Sequence, residues 1–253
     1  MVLVKRDVLG NKKMKYVILC GGKYTKWKSP RWLTKINGES IVNRTIRLLK
    51  ENGIEDIAIV FSDETLRNTL SNECINIPLI FNAFNDYEYD GEGYEKENYK
   101  GYWVNGLKVI DFNDAWYLYG LKGKDLDDAC YLFGDVVYSK AAIQKIIKTE
   151  TDDIEFFASS PPFSNKYHKE WAEPFAFKVT NGYKFNQAIE KTKRLYDEKC
   201  FRRHPIAWEL WQVIKETPIN IIDYSNYTVI NDYTCDIDNP EDIKLLEGEV
   251  RNE

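Results

Sequence analysis

The sequence predicts an α/β fold in which a mostly parallel mixed sheet carries helices on its faces. Short apolar runs that end at glycine or another turn residue alternate with segments whose apolar residues recur at helical spacing. This alternation over residues 16–81 is typical of parallel strands joined by crossover helices. The chain has 253 residues, of which 43% are hydrophobic, so it is long enough to bury one substantial core.

Local patterns place each element in order. Residues 16–20 form an apolar run that ends at glycine, which predicts a buried strand. Residues 39–52 carry apolar side chains at helical spacing, and Gly53 is placed to end that helix. The further predicted strands are 56–61, 75–81, 129–133, 154–159, 173–179, 219–224 and 227–230. The further predicted helices are 63–70, 113–121, 140–148 with Ser139 as its cap, 181–193, 205–215 and a last helix that begins after Asn239.

One domain is expected over residues 14–253. Residues 1–13 are polar and irregular, which predicts a flexible, loosely attached extension. Residues 82–109 break the alternation with interleaved acidic residues and tyrosines. This segment is interpreted as an insertion or mobile flap, and a hairpin is the alternative.

The composition excludes some functional classes. The net charge is −5, whereas nucleic-acid-binding domains are typically basic, so no nucleic-acid partner is expected. No apolar run approaches the roughly 18 residues of a membrane helix, so no membrane partner is expected either. The five cysteines lie far apart without a CxxC pair, which predicts reduced thiols and a cytoplasmic protein.

The residues after the first strand predict a phosphate-binding loop. Gly21 and Gly22 end the strand, and glycine lets backbone N–H groups approach an anion closely. Cationic side chains follow, and they would neutralise charge that develops during group transfer. They are Lys23, Lys26, Lys28 and Arg31. The alternative is an ordinary tight turn followed by a solvated basic face, because neither GxxxxGK[ST] nor GxGxxG is present.

Acidic residues supply the complementary half of such a site. Asp135 follows the predicted strand 129–133, and ligands of parallel sheets bind beyond the carboxyl ends of strands. Mg²⁺ in proteins is held by one or two carboxylates together with phosphate oxygens and water. The alternative for Asp135 is a turn residue that caps the next helix.

Asp236 and Asp238 form a second candidate metal-binding pair. On an extended segment, side chains at i and i+2 face the same side, so the two carboxylates can share a cation. The alternative is a helix start, with Asn239 as N-cap, Pro240 at the first position and Asp242 completing a capping box. That alternative accounts for residues 239–242 but not for Asp236.

A basic cluster later in the chain is a candidate acceptor site. Arg202 and Arg203 precede His204 and Pro205, and either arginine could hold the phosphate or carboxylate of an acceptor. The alternative is a solvated basic surface.

Read in chain order, these motifs resemble those of nucleotidyltransferases that act on sugar 1-phosphates and phosphocholine. That family opens with a pattern close to L-A-A-G-x-G-T-R and then P-K-x-L, where this chain has residues 19–26 and 30–33. Residues 131–137 are similar to its central L-x-G-D-x-x, and residues 236–242 to its closing D-I-D-T-P-E-D-L. The similarity spans roughly residues 14–247.

Three positions depart from the family pattern. Tyr24 stands at the third glycine position of the loop, Lys26 at the usual arginine and Arg31 at the usual lysine. Positive charge is retained at the last two, although arginine and lysine hold phosphates differently.

The resemblance implies a Rossmann-like three-layer sandwich and Mg²⁺-dependent transfer of a nucleoside monophosphate to a phosphorylated acceptor, with release of pyrophosphate. It implies that Asp135 and Asp236 or Asp238 bind the metal, and that Lys26 and Arg31 are catalytic. It also implies a set of nucleotide-binding residues. These are Leu19, Cys20, Gly21, Gly22, Lys23, Tyr24, Thr25 and Gly134.

Within the family, the sequence most resembles small cytidylyltransferases of capsule and surface-polysaccharide pathways. CTP is therefore the favoured donor, and phosphoglutamine, phosphocholine and sugar 1-phosphates are the candidate acceptors. Residues 160–210 are expected to select the acceptor, and a homodimer is left open. Two other functions are compatible with these motifs. One is a metal-dependent glycosyltransferase that uses Asp236-Ile-Asp238 as its DxD motif, and the other is a degenerate domain that only senses nucleotides.

Overall fold

The computed structural model describes residues 14–20, 29–61, 64–81, 127–160, 172–201, 207–219, 221 and 223–253. The predicted extension at 1–13, the insertion at 82–109 and the helix at 113–121 lie outside these residues. In the described part of the chain, no helix has both the length and the apolar character needed to cross a membrane.

The described residues contain eleven strands, most of them short, and six α-helices. The strands are β1 (Lys15–Cys20), β2 (Lys35–Ile36), β3 (Glu39–Ser40), β4 (Ile57–Phe61), β5 (Leu79–Phe81), β6 (Ala129–Phe133), β7 (Val136–Val137), β8 (Ile154–Ala158), β9 (Pro174–Val179), β10 (Thr228–Val229) and β11 (Cys235–Asp236). The helices are α1 (Ile41–Glu51), α2 (Arg67–Glu73), α3 (Lys140–Lys148), α4 (Gly182–Asp197), α5 (Ala207–Lys215) and α6 (Pro240–Asn252).

Within the described residues, a seven-stranded sheet has the order β10-β8-β9-β6-β1-β4-β5. Strand β1 pairs in parallel with both β4 and β6, and β4 pairs in parallel with β5. Strand β9 is antiparallel to its neighbours β6 and β8. The predicted mostly parallel mixed sheet is therefore confirmed.

Helices cover both faces of this sheet because its interior strands, such as β1, are apolar on both sides. Val17 and Leu19 of β1 belong to one core cluster, which includes Trp208 and Trp211 of α5. The alternate residues of β1 belong to a second cluster, which includes side chains of α1 and α3. A continuous apolar run is what a strand buried on both faces requires, and it produces the predicted three layers.

Some local predictions are confirmed and others are corrected. Ser139 caps α3 as predicted, since its Oγ accepts a hydrogen bond from the Ala142 N–H at 2.8 Å. The helix predicted from residue 39 begins instead at Ile41, because the preceding residues form a β2–β3 hairpin. Asn37 and Gly38, with φ of 51° and 89°, make its turn.

One predicted strand is shorter than expected, and another is absent from the described residues. The strand predicted over 75–81 is reduced to β5, because Asn76 adopts a φ of 64° that extended structure does not allow. The described residues of 219–224 contain no strand, so that prediction is wrong for them. The segment predicted as helix 63–70 is described from residue 64, as a 3₁₀ turn over Glu64–Leu66 followed by α2.

Candidate active site

The candidate site lies at the carboxyl ends of β1 and β6, which are adjacent and parallel. The N–H of Gly134, just past β6, donates a hydrogen bond to the carbonyl oxygen of Leu19 at 3.0 Å. This contact places Asp135 beside the point where β1 ends. Leu19 and Cys20 are themselves buried, so only their main chain could face a nucleotide at this edge.

Gly134 has a clear packing reason to be glycine. A Cβ at this position would lie 2.7 Å from the Leu19 carbonyl oxygen and 2.9 Å from the Cys20 Sγ. Such distances are far inside van der Waals contact, so any larger residue would push β6 away from β1. A direct contact of Gly134 with nucleotide stays a prediction.

The Asp236–Asp238 segment reaches the same place through a second, very short strand pair. Strand β11 runs antiparallel to β7, with Asp236 opposite Val136. The Ile237 N–H then donates to the carbonyl oxygen of Asp135 at 3.2 Å. The structure thus places the Asp236–Asp238 segment beside Asp135, although the two motifs are about 100 positions apart in the sequence.

Arg31 lies between two of these carboxylates. Its Nη2 is 2.9 Å from Asp135 Oδ2, and its Nη1 is 2.7 Å from Asp238 Oδ1. The same Nη1 donates to the carbonyl oxygen of Ile237 at 2.9 Å. The side chains of Arg31 and Asp135 are 18% and 19% exposed, and that of Asp238 is 37% exposed. The cluster is therefore partly desolvated but still open to water.

The turn that carries Arg31 has an apolar anchor. Arg31–Leu33 form a 3₁₀ turn, and Trp32 at its centre is buried in the core. The anchor fixes the main chain of the turn while the arginine side chain projects toward the acids. Charge and position at residue 31 therefore agree with the predicted anion-binding role, although the role itself stays a prediction.

Cys20 and Tyr138, which lie near Asp135, are buried and uncharged at neutral pH. Burial raises the pKa of the Cys20 thiol well above its ordinary value, and the Cys74 and Asp135 charges add to the effect. Burial likewise raises the pKa of Tyr138, whose hydroxyl donates to the Phe175 carbonyl oxygen at 2.5 Å. A protonated thiol is a poor nucleophile, so Cys20 is suited to packing and not to covalent catalysis.

The chain after the acids is held by Asp242. Its Oδ2 accepts hydrogen bonds from the N–H groups of Asp238 and Asn239, at 2.9 and 2.8 Å. The predicted helix start at Asn239 is therefore confirmed, and it coexists with the acidic cluster. The two interpretations of this motif were not exclusive, because the N-terminal turn of α6 fixes the main chain of Asp238.

The chain before the acids is held by a serine–threonine–aspartate network. The Ser139 Oγ donates to Asp232 Oδ2 at 2.6 Å, and the Ser139 N–H donates to Thr234 Oγ1 at 3.0 Å. The Thr234 N–H in turn donates to Asp232 Oδ1 at 2.8 Å. These contacts tie the approach to β11 to the N-terminus of α3, which limits movement of Asp236.

Glu173 is a residue of this region that the sequence analysis missed. It is buried directly before β9, and its Oε2 accepts a hydrogen bond from the Asp236 N–H at 3.2 Å. Because β9 is antiparallel to β6, its amino end lies at the same edge of the sheet as Asp135. Its signal in the sequence is an acidic residue at the start of an apolar strand, which also fits an ordinary strand boundary.

The acidic residues suit Mg²⁺ in part. Among the described residues, no group of three or more His, Cys, Asp and Glu side chains is placed to hold a metal ion. However, Asp135 and Asp238 direct carboxylate oxygens onto one cationic group, the Arg31 guanidinium. Two carboxylates with additional phosphate and water oxygens make a normal Mg²⁺ site, so the donor set fits that metal.

The remaining predicted site residues lie outside the described residues, and their roles stay predictions. They are Gly21, Gly22, Lys23, Tyr24, Thr25, Lys26, Arg202 and Arg203.

Comparisons with known proteins give structural matches only. No protein-family model matches the chain, and no curated protein matches it. A solved protein from Bacillus anthracis, described as a glucose-1-phosphate thymidylyltransferase, superimposes with a TM-score of 0.56 at 11% identity. The match covers 95% of this chain and 96% of that chain.

Cytidylyltransferases also share the fold. The CTP:phosphocholine cytidylyltransferase of Streptococcus pneumoniae has a TM-score of 0.51 at 18% identity, covering 94% of this chain and 99% of that chain. The 4-diphosphocytidyl-2C-methyl-D-erythritol synthase of Anaerococcus prevotii has a TM-score of 0.52 at 11% identity, covering 94% and 96%. At these identities the likeness is one of fold, and it confirms the predicted α/β fold of the nucleotidyltransferase type.

Proposed function

We propose that the protein is a nucleotidyltransferase that transfers a nucleoside monophosphate, CMP from CTP being favoured, to a phosphorylated small-molecule acceptor. The observation that carries this proposal is the convergence of Arg31, Asp135 and Asp238 at the carboxyl ends of β1 and β6. Ligands of parallel sheets bind at this edge, and the two signs of charge suit a metal-bound triphosphate. The fold shared with several nucleotidyltransferases supports the same reaction class.

In the proposed reaction, an acceptor phosphate oxygen attacks the α-phosphorus of the triphosphate. A new P–O bond forms as the bond to the bridging oxygen of the β-phosphate breaks, and that electron pair leaves with pyrophosphate. Arg31 and Lys26 would bind phosphate oxygens and neutralise the charge on the leaving group. Positioning and electrostatic stabilisation would supply the rate enhancement, because phosphoryl chemistry needs no covalent intermediate on the protein.

The metal in this proposal is Mg²⁺. It would be held by Asp135 and by Asp238 or Asp236, and when bound it would neutralise phosphate oxygens. Asp242 and Glu173 hold the main chain at Asp238 and Asp236, and the Ile237 N–H donates to the Asp135 carbonyl oxygen, so the main chain needs little reorganisation to present the carboxylates. In this proposal, the described residues would contribute these carboxylates, on a fixed main chain, to metal binding.

Cytidylyl specificity and the acceptor are the finer parts of the proposal. CTP:phosphocholine cytidylyltransferase among the structural matches supports CTP as the donor. Phosphoglutamine, phosphocholine and sugar 1-phosphates are the proposed acceptors, with a role in capsule or surface-polysaccharide precursor synthesis. The five cysteines are free thiols and four of them are buried, which supports a reducing, cytoplasmic location.

A pyrophosphate-release screen tests the function directly. The four nucleoside triphosphates are each combined with Mg²⁺ and a panel of phosphocholine, phosphoglutamine and hexose 1-phosphates. Release is expected with CTP, and only when an acceptor is present. Activity confined to a preformed nucleotide sugar would contradict the proposal in favour of a glycosyltransferase, whereas triphosphate binding without turnover would favour a sensor domain.

A second experiment tests the acceptor site. Replacing both Arg202 and Arg203 by Ala should raise the acceptor KM by about tenfold or more, because each arginine could supply a charge-assisted hydrogen bond to the acceptor anion. The KM for CTP should change little. An unchanged acceptor KM would show that these arginines lie on a solvated surface.

A further inference from the structure

We propose that Arg31 closes the metal site in the nucleotide-free protein, and that a bound triphosphate opens it by drawing the guanidinium onto its own phosphate oxygens. This inference rests on the proposed function, because the triphosphate is the ligand that competes for Arg31. It predicts that the metal enters with the nucleotide and not before it.

The contacts of Arg31 support the first part of the proposal, that Arg31 closes the metal site. Its two terminal nitrogens are 2.9 Å and 2.7 Å from oxygens of Asp135 and Asp238, the same carboxylates that would hold the metal. A dication placed between those oxygens would lie in close contact with a guanidinium and be repelled by it. Arg31 and the metal therefore compete for one pair of carboxylates.

Partial burial makes this competition effective. Exposed ion pairs are worth little, but Arg31 and Asp135 are each more than four-fifths buried, so their attraction is less screened by water. A metal ion that displaced Arg31 without offering it a new partner would leave a guanidinium poorly hydrated. Metal alone should consequently bind weakly.

The second part of the proposal, that a triphosphate opens the site, follows because its phosphate oxygens are alternative partners for Arg31. A planar guanidinium fork binds phosphate oxygens as well as carboxylate oxygens, so the nucleotide can replace Asp135 and Asp238 as partners of Arg31. The buried Trp32 fixes the main chain of the turn, and a rotamer change of the Arg31 side chain is enough to move the charge. By linkage, nucleotide and metal must then increase each other's affinity by the same factor.

Mn²⁺ binding, measured by electron paramagnetic resonance, tests whether Arg31 closes the metal site, and it requires no turnover. Arg31→Ala should bind Mn²⁺ alone about tenfold more tightly than the native protein, because a competing cation has been removed. Arg47→Ala is the matched control, since Arg47 also bridges two carboxylates, Glu39 and Glu51, at 2.8 and 2.7 Å. That variant should bind Mn²⁺ as the native protein does.

Additional variants locate the metal and guard against misfolding. Adding Asp135→Asn to Arg31→Ala should abolish the gain, and a gain that persisted would overturn the proposal by placing the metal elsewhere. If Arg31→Ala does not fold, Arg31→Lys keeps the charge but can contact only one carboxylate at a time, so a smaller gain is expected. An affinity equal to or below the native value in the folded variant would overturn the first part of the proposal.

A non-hydrolysable CTP analogue tests the second part of the proposal and separates it from the reaction. In the presence of the analogue, the native protein should bind Mn²⁺ more tightly than either the protein alone or the analogue alone binds it. Pyrophosphate release by the native protein together with unchanged Mn²⁺ affinity in Arg31→Ala would overturn this inference and leave the proposed function standing. A gain in Arg31→Ala with no effect of the analogue would instead overturn the opening step and count against the proposed function.

Discussion

Two regions of the molecule each hold an arginine against acidic and main-chain oxygens, and they differ in burial. At the sheet edge, Arg31 contacts Asp135 and Asp238, and its side chain is 18% exposed. On α1, the side chain of Arg44 is only 4% exposed, and it pairs with Glu253 near the end of α6. The comparison shows that the same guanidinium chemistry can serve a ligand site or hold the fold together, depending on access.

The Arg44 cluster joins elements that are far apart in the chain. Its Nη2 donates to the Tyr138 carbonyl oxygen at 3.1 Å and lies 2.9 Å from the Tyr233 hydroxyl, besides the contact with Glu253. The Lys140 N–H at the start of α3 also donates to the Glu253 carboxylate. These contacts connect α1, α3 and α6, and no ligand could reach Arg44 without breaking the packing around it. We therefore assign a structural role to this cluster.

The largest expected effect is on activity, at the sheet edge. Asp135→Asn should lower kcat for pyrophosphate release by about 10³-fold, because the amide keeps the shape of the side chain but not the charge that neutralises a cation. The midpoint of thermal unfolding should fall only slightly, because Arg31 keeps Asp238 and the Ile237 carbonyl oxygen as partners. Steady-state kinetics and circular dichroism melts measure the two quantities.

Asp153→Asn serves as the control for that variant. Asp153 pairs with Lys184 on the surface, and its side chain is 40% exposed. Its loss removes one negative charge from the same fold, and kcat should stay close to the native value. A similar loss of kcat in both variants would show that general charge, and not the position of Asp135, controls the reaction.

The next largest effect is on stability, at the buried cluster. Arg44→Ala should lower the free energy of unfolding by about 2–4 kcal/mol, because it removes one partner of a nearly buried ion pair and leaves buried acceptors. Urea unfolding measures the loss, and kcat per folded molecule should remain native. A stable variant with strongly reduced kcat would reverse the roles assigned to the two arginines.

Features that are encoded locally in the sequence could be predicted from it. Strand β1 was predictable because one short apolar run between turns is sufficient to specify a strand buried on both faces. The acids at 135, 236 and 238 were selected from local motifs. Their meeting depends on the two-residue strands β7 and β11, which are too short to leave a pattern in the sequence.

Partners that are distant in sequence could not be predicted. Arg31 and Asp238 are 207 positions apart, and the hydrogen bond between Glu173 and the Asp236 N–H spans 63 positions. No local rule links such residues, since tertiary packing alone brings them together. The β2–β3 hairpin is a different case, because Asn37-Gly38 is a strong local turn signal that is sufficient to predict it.

A moderate effect on both stability and activity is expected at Gly134. Gly134→Ala should lower the free energy of unfolding by about 1–3 kcal/mol, because the new Cβ would overlap the Leu19 carbonyl oxygen. The relief of this overlap should move Asp135, so kcat should fall as well. Gly248→Ala in α6 is the control, since its Cβ would meet nothing within 4 Å.

The Gly248 variant should gain stability by about 0.5–1 kcal/mol, as expected for alanine in place of glycine inside a helix. A neutral result at Gly134 with the expected gain at Gly248 would mean that β1 and β6 can separate at no cost. The close approach of the two strands would then not fix the position of Asp135.

The smallest effect is expected at a third arginine, which tests whether burial is the deciding variable. The side chain of Arg47 bridges Glu39 and Glu51 as Arg31 bridges its acids, but it is 40% exposed. Arg47→Ala should therefore cost about 1 kcal/mol or less in urea unfolding, and added salt should reduce that cost. A loss as large as that of Arg44→Ala would show that bridging geometry, and not burial, sets the energy.

The pH dependence of this variant identifies the source of its effect. The hydrogen bond from Arg47 lowers the pKa of the Glu51 carboxyl, so the ionised form is favoured in the folded protein. A lowered folded-state pKa contributes stability that is present above the unfolded pKa and is lost as the pH falls through the folded value. The stability difference between native protein and Arg47→Ala should therefore shrink below about pH 4, where glutamate protonates in the unfolded chain. A difference that stays constant into acid would assign the effect to packing of the arginine stem and not to its charge.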